Sequence, residues 1–230
     1  MNMASLIQPI LPALTSEFDR WWACAGTWVE PANQRRGGES GVQLLAPRDP
    51  TRSALYCKRQ TGHTYRSLMH PVGRPTALRE RDAYLALKRL GISTPRLVYA
   101  AARHADGHWQ ALLVTEALEG FISLEQWYAQ TQPTALTQAM LQALGGTLAR
   151  LHGARWQHGC CYAKHLFIRV VDAENQHLEI ALLDLEKSRR RWRVRDASRH
   201  DMRQLGRHCA GMPASDMQVL QQAYQQALRP

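Results

Sequence analysis

The stretch RPTALRERDAYLALKRLGI, residues 74–92, decides the fold. Pro75 and Thr76 open it and Gly91 closes it, start and stop signals that predict about four turns of helix. Glu80 shares one stripe of that helix with Tyr84 at i+4 and Leu87 at i+7, so its carboxylate faces inward among apolar neighbours. A lone charge in that position is expensive unless a cation meets it. Lys58, in the short apolar run SALYCKRQ at 53–60, is the candidate cation. Taken singly, each residue also has an ordinary reading as a surface charge, and only their joint placement argues for a pair.

Upstream, RRGGESGVQLLAP at 35–47 places Gly37, Gly38 and Gly41 ahead of an apolar run. With SALYCKRQ it predicts a hairpin. Residues 1–20 are expected to be an N-terminal extension, and the aromatic-rich Trp21 to Val29 a first strand. Downstream, PRLVYAAARH and HWQALLVTEAL form a strand pair around the turn Ala105-Asp106-Gly107. Its second strand ends in Glu116-Ala117-Leu118-Glu119-Gly120, which has the composition of a connector. Beyond the connector, Leu136, Met140, Leu144, Leu148 and Leu151 recur at helical spacing, so 134–152 is an amphipathic helix closed by His152-Gly153. LFIRVV and LEIALLD, split by the polar DAENQH, predict a second hairpin. Residues 197–229 predict two helices divided near Gly211 and Pro213. Strands first and then mostly helices describe an α+β chain. The expected division is a sheet lobe with one helix at 21–118 and a mostly helical lobe at 119–230.

A chain of 230 residues with 45% hydrophobic content can bury a substantial core. No run of roughly 18 apolar residues occurs, and MNMASLIQPILPALTSEF lacks a basic region before its short apolar stretch. The expectation is a cytoplasmic protein that neither spans a membrane nor is secreted. Five cysteines without CxxC spacing fit reduced thiols better than disulfides or a zinc site. The net charge of +10 attracts anionic partners, whether nucleic acid, an acidic membrane or a phosphorylated glycolipid. Much of the excess sits in KSRRRWRVRDASR, Lys187 to Arg199, which is either a solvated basic face or a dedicated patch.

Asp184 ends the run LEIALLD, where a carboxylate can hold a magnesium ion or cap the next turn. His165 follows Cys160 by five residues in HGCCYAKHLF. The order of a strand lysine, a helix glutamate, a histidine loop after a long helix and a strand-end aspartate resembles that of protein kinases. In them the lysine and glutamate fix nucleotide phosphates, the aspartate holds magnesium and an asparagine stands at the position of His165. The strings HPVGRPT, RERDAYLALKRLGISTP, QHGCCYAKHLFIR and LLDLEKSRRRWRVRD together resemble the lipopolysaccharide kinase family of heptose and Kdo kinases, most closely its InaA-type branch. They span roughly residues 55 to 210.

That resemblance implies a protein-kinase-like two-lobed fold, ATP and Mg2+ as cofactors, and phosphoryl transfer to a sugar hydroxyl of the lipopolysaccharide inner core. The anionic glycolipid would be met at the inner face of the cytoplasmic membrane, a peripheral contact that a basic chain suits. Carried over, Lys58 and Glu80 match the nucleotide-fixing pair, Asp184 and His165 the metal ligands, and Asp201 in RHDMRQLG the acid that braces the catalytic loop. Gly38 and Gly41 of GGESG stand in for the phosphate-covering loop, although its pattern is not GxGxxG. The loop itself departs from the family. Where the sugar kinases have His-Arg-Asp-Cys-Tyr, this chain has His158-Gly159-Cys160-Cys161-Tyr162, so Cys160 occupies the position of the base. A thiol is a poor general base unless its pKa is lowered, and His158 or Glu186 could substitute. Three readings follow: a sugar kinase with an atypical loop, a pseudokinase binding module, or, less favoured, a nucleic-acid binder using the arginine run and Trp192. The last leaves Glu80 and Asp184 unexplained.

Overall fold

A computed structural model describes residues 16–29, 32–35, 38–47, 49 and 51–229. Most of the expected N-terminal extension, residues 1–15, lies outside the described residues. The chain enters through α1 (Glu17–Ala23), then β1 (Thr27–Trp28), β2 (Asn33–Arg35), β3 (Gly38–Leu45) and β4 (Leu55–Thr61). A small hairpin, β5 (Thr64–Ser67) and β6 (His70–Pro75), leads into α2 (Thr76–Arg89). The long strands β7 (Leu97–Ala105) and β8 (His108–Glu116) complete an antiparallel sheet of order β1-β3-β4-β8-β7, with β2 also pairing to β3.

The expected first strand is a correction. Trp21 and Trp22 sit on α1, and only Thr27–Trp28 is extended. Ser16 and Asp19 form a reciprocal capping box that nucleates the helix. Phe18 is buried, Trp22 stacks on it at 5.5 Å, and both pack beside Cys57, Leu112 and Val114 of the sheet. Aromatic residues favour strands only when a pleated neighbour is offered, and here capping and helical spacing prevail. The expected boundary between residues 20 and 21 therefore falls inside a packed helix. The hairpin β5–β6 was not anticipated, because Gly62, Gly73, Pro71 and Pro75 interrupt any alternating pattern.

The second half begins with β9 (Ile122–Ser123), α3 (Leu124–Ala129) and α4 (Thr134–Gly153). Then come β10 (Trp156–Gln157), a single 3-10 turn at Ala163–His165, and the hairpin β11 (Leu166–Asp172) and β12 (His177–Leu182). β13 (Arg189–Arg190), α5 (Val194–Arg207) and α6 (Ala214–Leu228) end the chain. The apolar repeat of α4 forms the floor of the core, with Met140, Leu144, Leu148 and Leu151 fully buried. β10 and β13 pair antiparallel, which ties the arginine-rich segment to the loop after α4.

Two adjacent glycines of α4 have opposite roles. A Cβ at Gly145 would lie 2.8 Å from the Ala223 Cβ and 2.8 Å from the Tyr224 nitrogen, so the bare backbone lets α6 approach; a Cβ at Gly146 meets nothing within 4 Å. We expect Gly145→Ala to destabilise by about 1–3 kcal/mol through overpacking. Gly146→Ala should stabilise by up to about 1 kcal/mol through helix propensity. Urea unfolding of the two variants checks both signs.

Candidate active site

β4 is hydrogen-bonded on both sides, with Lys58 opposite Val42 of β3 and Leu113 of β8. That register holds the lysine rigidly and leaves its side chain largely covered. α2 lays Ala77, Ala83 and Leu87 against the interior, and the same face carries Glu80 at 3% exposure. The Lys58 ammonium donates to Glu80 Oε2 at 2.7 Å and to Glu186 Oε2 at 3.2 Å, and lies 3.7 Å from Asp184 Oδ1. Three carboxylates thus surround one ammonium.

Burial pushes Glu80 up to about 7, against the lowering field of Lys58 and with further raising by Asp184 and Glu186. Burial works to lower Lys58, but the three carboxylates outweigh it and hold the ammonium charged. Asp184 is also opposed by burial and is nevertheless kept below the ordinary carboxylate range by Lys58 and His165. Asp184 does not close β12 as expected. It stands two residues beyond that strand with φ +57°, in a turn held by Leu183 N–H donating to the His165 carbonyl at 2.9 Å. A non-glycine residue in this region is sparsely populated and is tolerated best by Asp and Asn, which is typical of sites where a side chain must be aimed.

The loop after α4 is fixed from below. Asp201 of α5, fully buried, accepts the backbone N–H groups of His158 at 2.6 Å and Gly159 at 3.0 Å. It also meets His152 Nε2 at 3.1 Å and His200 Nδ1 at 3.0 Å. His165 Nδ1 donates to the Cys160 carbonyl at 2.8 Å, which leaves the Nε2 lone pair 3.6 Å from Asp184 Oδ2. Burial keeps this imidazole below its usual pKa and so neutral. His165 and Asp184 therefore present two adjacent ligand atoms of the kinds a divalent ion accepts. Glu80, Asp184 and Glu186 form a second such set, with ligand atoms within 4.8 Å of one another.

Several candidate residues are placed elsewhere or disarmed. Cys160 lines the cleft, but burial and the field of Asp184 push its thiol up to about 12, which opposes the thiolate that a base would need. His158 is fully buried and does not line the cleft; its Nδ1 accepts the Cys160 N–H at 3.2 Å, and burial takes it down to about 4. It closes the loop and has no access to substrate. Gly38 also lies away from the cleft. A Cβ there would fall 2.5 Å from the Gly62 carbonyl carbon, so its role is to let β3 approach the turn after β4. Gly41 does line the cleft, although its missing Cβ makes room for the Trp28 ring, which would lie 2.5 Å away. Gly159, at φ +85°, meets the Lys187 carbonyl so closely that a Cβ would sit 2.6 Å from its oxygen.

His200 was not singled out from the sequence. It lines the cleft with Nδ1 on Asp201, an arrangement that orients an imidazole, and its only sequence signal was adjacency to that acid in RHDMRQLG. The cleft has a volume of about 1070 Å³. Its lining combines the apolar Val42, Tyr56, Leu113, Phe167 and Leu183 with the charged cluster.

The three-to-one charge count makes a falsifiable asymmetry. In Glu80→Gln the ammonium keeps Glu186 and Asp184, whereas in Lys58→Met three carboxylates are left facing one another. Urea unfolding should show Lys58→Met losing about 3–5 kcal/mol near neutral pH and Glu80→Gln clearly less. The native Glu80, raised from 4.5 to about 7, binds its proton more tightly folded than unfolded, so it withdraws stability as pH rises through that window. Without the ammonium this fall should be steeper and extend to higher pH. A pH-independent deficit would contradict the assignment.

The lipopolysaccharide kinase (Kdo/WaaP) family model matches residues 19–224. Protein InaA of Escherichia coli (strain K12) is 41% identical over 212 residues, covering 90% of this chain and 95% of that protein. The solved structure of WaaP in complex with acyl carrier protein superposes with a TM-score of 0.68 at 20% identity, covering 94% of this chain and 83% of the other, which establishes the kinase-like two-lobed fold. The chain belongs to the lipopolysaccharide kinase (Kdo/WaaP) family.

Proposed function

We propose that the protein binds ATP with Mg2+ and transfers a phosphoryl group to a sugar hydroxyl of an anionic glycolipid, the lipopolysaccharide inner core or a close relative. The observation that carries this reading is the Lys58–Glu80 contact at 2.7 Å, with Asp184 3.7 Å from the same ammonium. The residues present fit both cofactors. The apolar lining residues of the cleft suit a planar base. Lys58 is positioned for phosphate oxygens, and Asp184 with His165, supported by Glu186, for the metal. When bound, the ion would neutralise charge on the phosphates. Among the chain's own groups, Glu80 fixes the lysine, Asp201 holds the loop through two backbone N–H groups, and His200 is placed as the Asp-supported imidazole nearest in kind to a proton acceptor. Phosphoryl transfer leans chiefly on positioning and electrostatics, so loss of the loop aspartate weakens the reaction without abolishing it. ATP and a nascent core glycolipid are met together in the cytoplasm, at the inner face of its membrane. No helix among the described residues is long and apolar enough to cross a membrane.

A second reading has its own support in the protonated Cys160 thiol: a pseudokinase that binds nucleotide and reports it to a partner. A nucleic-acid binder remains the weakest reading, because it gives the buried Lys58–Glu80 pair nothing to do.

Mg-ATP at about a hundredfold over its Kd should stabilise the protein by about 2.7 kcal/mol, visible as a raised Tm, and Asp184→Ala should remove the rise. No rise at saturating nucleotide refutes both kinase-like readings. Labelled phosphate moving to purified inner-core glycolipid supports the enzyme. A raised Tm with no transfer, together with activity gained in Cys160→Asp, selects the pseudokinase.

A further inference from the structure

α5 buries Ala197, Asp201 and Leu205 against the lobe, which turns the opposite face outward. Arg195, Arg199, Arg203 and Arg207 follow one another at i+4 along that face, all exposed, so they form a continuous cationic stripe. Among the described residues none of the four has an ion pair, and like charges at this spacing repel. Just before the helix Trp192 stands 92% exposed between Arg191 and Arg193. An indole that is solvated on nearly every side, flanked by guanidinium groups, has the chemistry of a membrane-interface anchor.

A second feature points the same way. The tip of the β5–β6 hairpin presents Leu68, Met69 and Val72 at 103%, 85% and 90% exposure, with exposed Arg66 beside them. The base of this hairpin and the arginine segment meet at one residue. Arg79 lies 4.2 Å over the Tyr65 ring of β5 and donates to the Glu186 carbonyl at 2.6 Å, three residues before Arg189. Arg79, Glu186, Lys187, Arg189 and His200 all line the cleft, so the base of the hairpin, through Arg79, and the start of the arginine segment adjoin it.

We propose that the stripe of α5, Trp192 and the Leu68–Met69 tip form a docking surface for an anionic lipid bilayer. The arginines meet lipid headgroups, while the indole and the hairpin tip enter the interfacial layer. An apolar tip has no counterpart in a phosphate-lined groove, which favours lipid over nucleic acid as the occupant. The surface needs no nucleotide. Its use, to present the cleft to a glycolipid acceptor, rests on the function proposed above.

The test is sedimentation of the full chain, without nucleotide, on vesicles of phosphatidylcholine alone or mixed with phosphatidylglycerol. Binding is expected only to the mixed vesicles, weakening as salt rises, with a blue shift in tryptophan emission that Trp192→Phe removes. Arg195→Ala, Arg199→Ala and Arg203→Ala combined should weaken partitioning about a hundredfold, roughly fivefold for each surface cation. Leu68→Ser with Met69→Ser should weaken it while leaving the salt dependence in place. All of these positions are exposed, and unchanged melting of each variant confirms folding. The assignment is overturned by equal affinity for neutral vesicles, by variants that bind like the parent, or by an oligonucleotide that binds tightly while vesicles are ignored. The Mg-ATP melt is run without lipid, so either proposal can fail while the other stands.

Discussion

One ammonium group from the middle of a sheet opposes three carboxylates that arrive from two separate parts of the chain. β4 supplies Lys58, α2 supplies Glu80, and the turn after β12 supplies Asp184 and Glu186. Removing two ions from water is repaid only when their geometry is tight, and the 2.7 Å contact to Glu80 is the tight one. The remaining two acids are held by the lysine at longer range, so the cluster carries a standing excess of negative charge inside a cleft. Such an excess is tolerable beside solvent, and it becomes an asset where a cation is to be held. These contacts join Lys58 and Glu80, from the first half of the chain, to Asp184 and Glu186, from the second.

The lower half of the site is organised by a different economy of contacts. Asp201 has no exposure, yet it is held below the usual carboxylate range, because hydrogen bonds from His152 and from backbone N–H groups outweigh burial. One carboxylate thereby orients His200, His152 and the loop carrying Cys160. Rigid placement of this kind is what a reaction governed by geometry requires, and it survives the replacement of the loop aspartate by cysteine.

Much of this was legible in residues alone. The Glu80 stripe, the repeat of α4 and the strand pairs around 95–118 and 166–184 follow from periodicities that the backbone enforces, while the order Lys58, Glu80, His165, Asp184 was read through its resemblance to kinases. What was not legible depended on neighbours distant in sequence. The capping box of Ser16 and Asp19 was not read from the sequence, and the aromatic-rich segment from Trp21 to Val29 argued for a strand, whereas Trp21 and Trp22 pack from a helix against the sheet face. Gly38 and Gly41 looked like a phosphate loop, and their steric partners, Gly62 and Trp28, are set by strand register. Glu186 had been weighed only as a substitute base, and its contact with Lys58 spans 128 positions. The fate of Cys160 depended on burial, which no local pattern discloses.

At Gly159 the backbone adopts a left-handed turn with the Lys187 carbonyl occupying the volume of any β-carbon. Two stretches of main chain have closed upon each other, locked further by the Ser188 hydroxyl on the Gln157 carbonyl at 2.8 Å. What residue 159 can be is therefore set by the path of the polypeptide as well as by the chemistry of the site, since any side chain there must displace the main chain at Lys187.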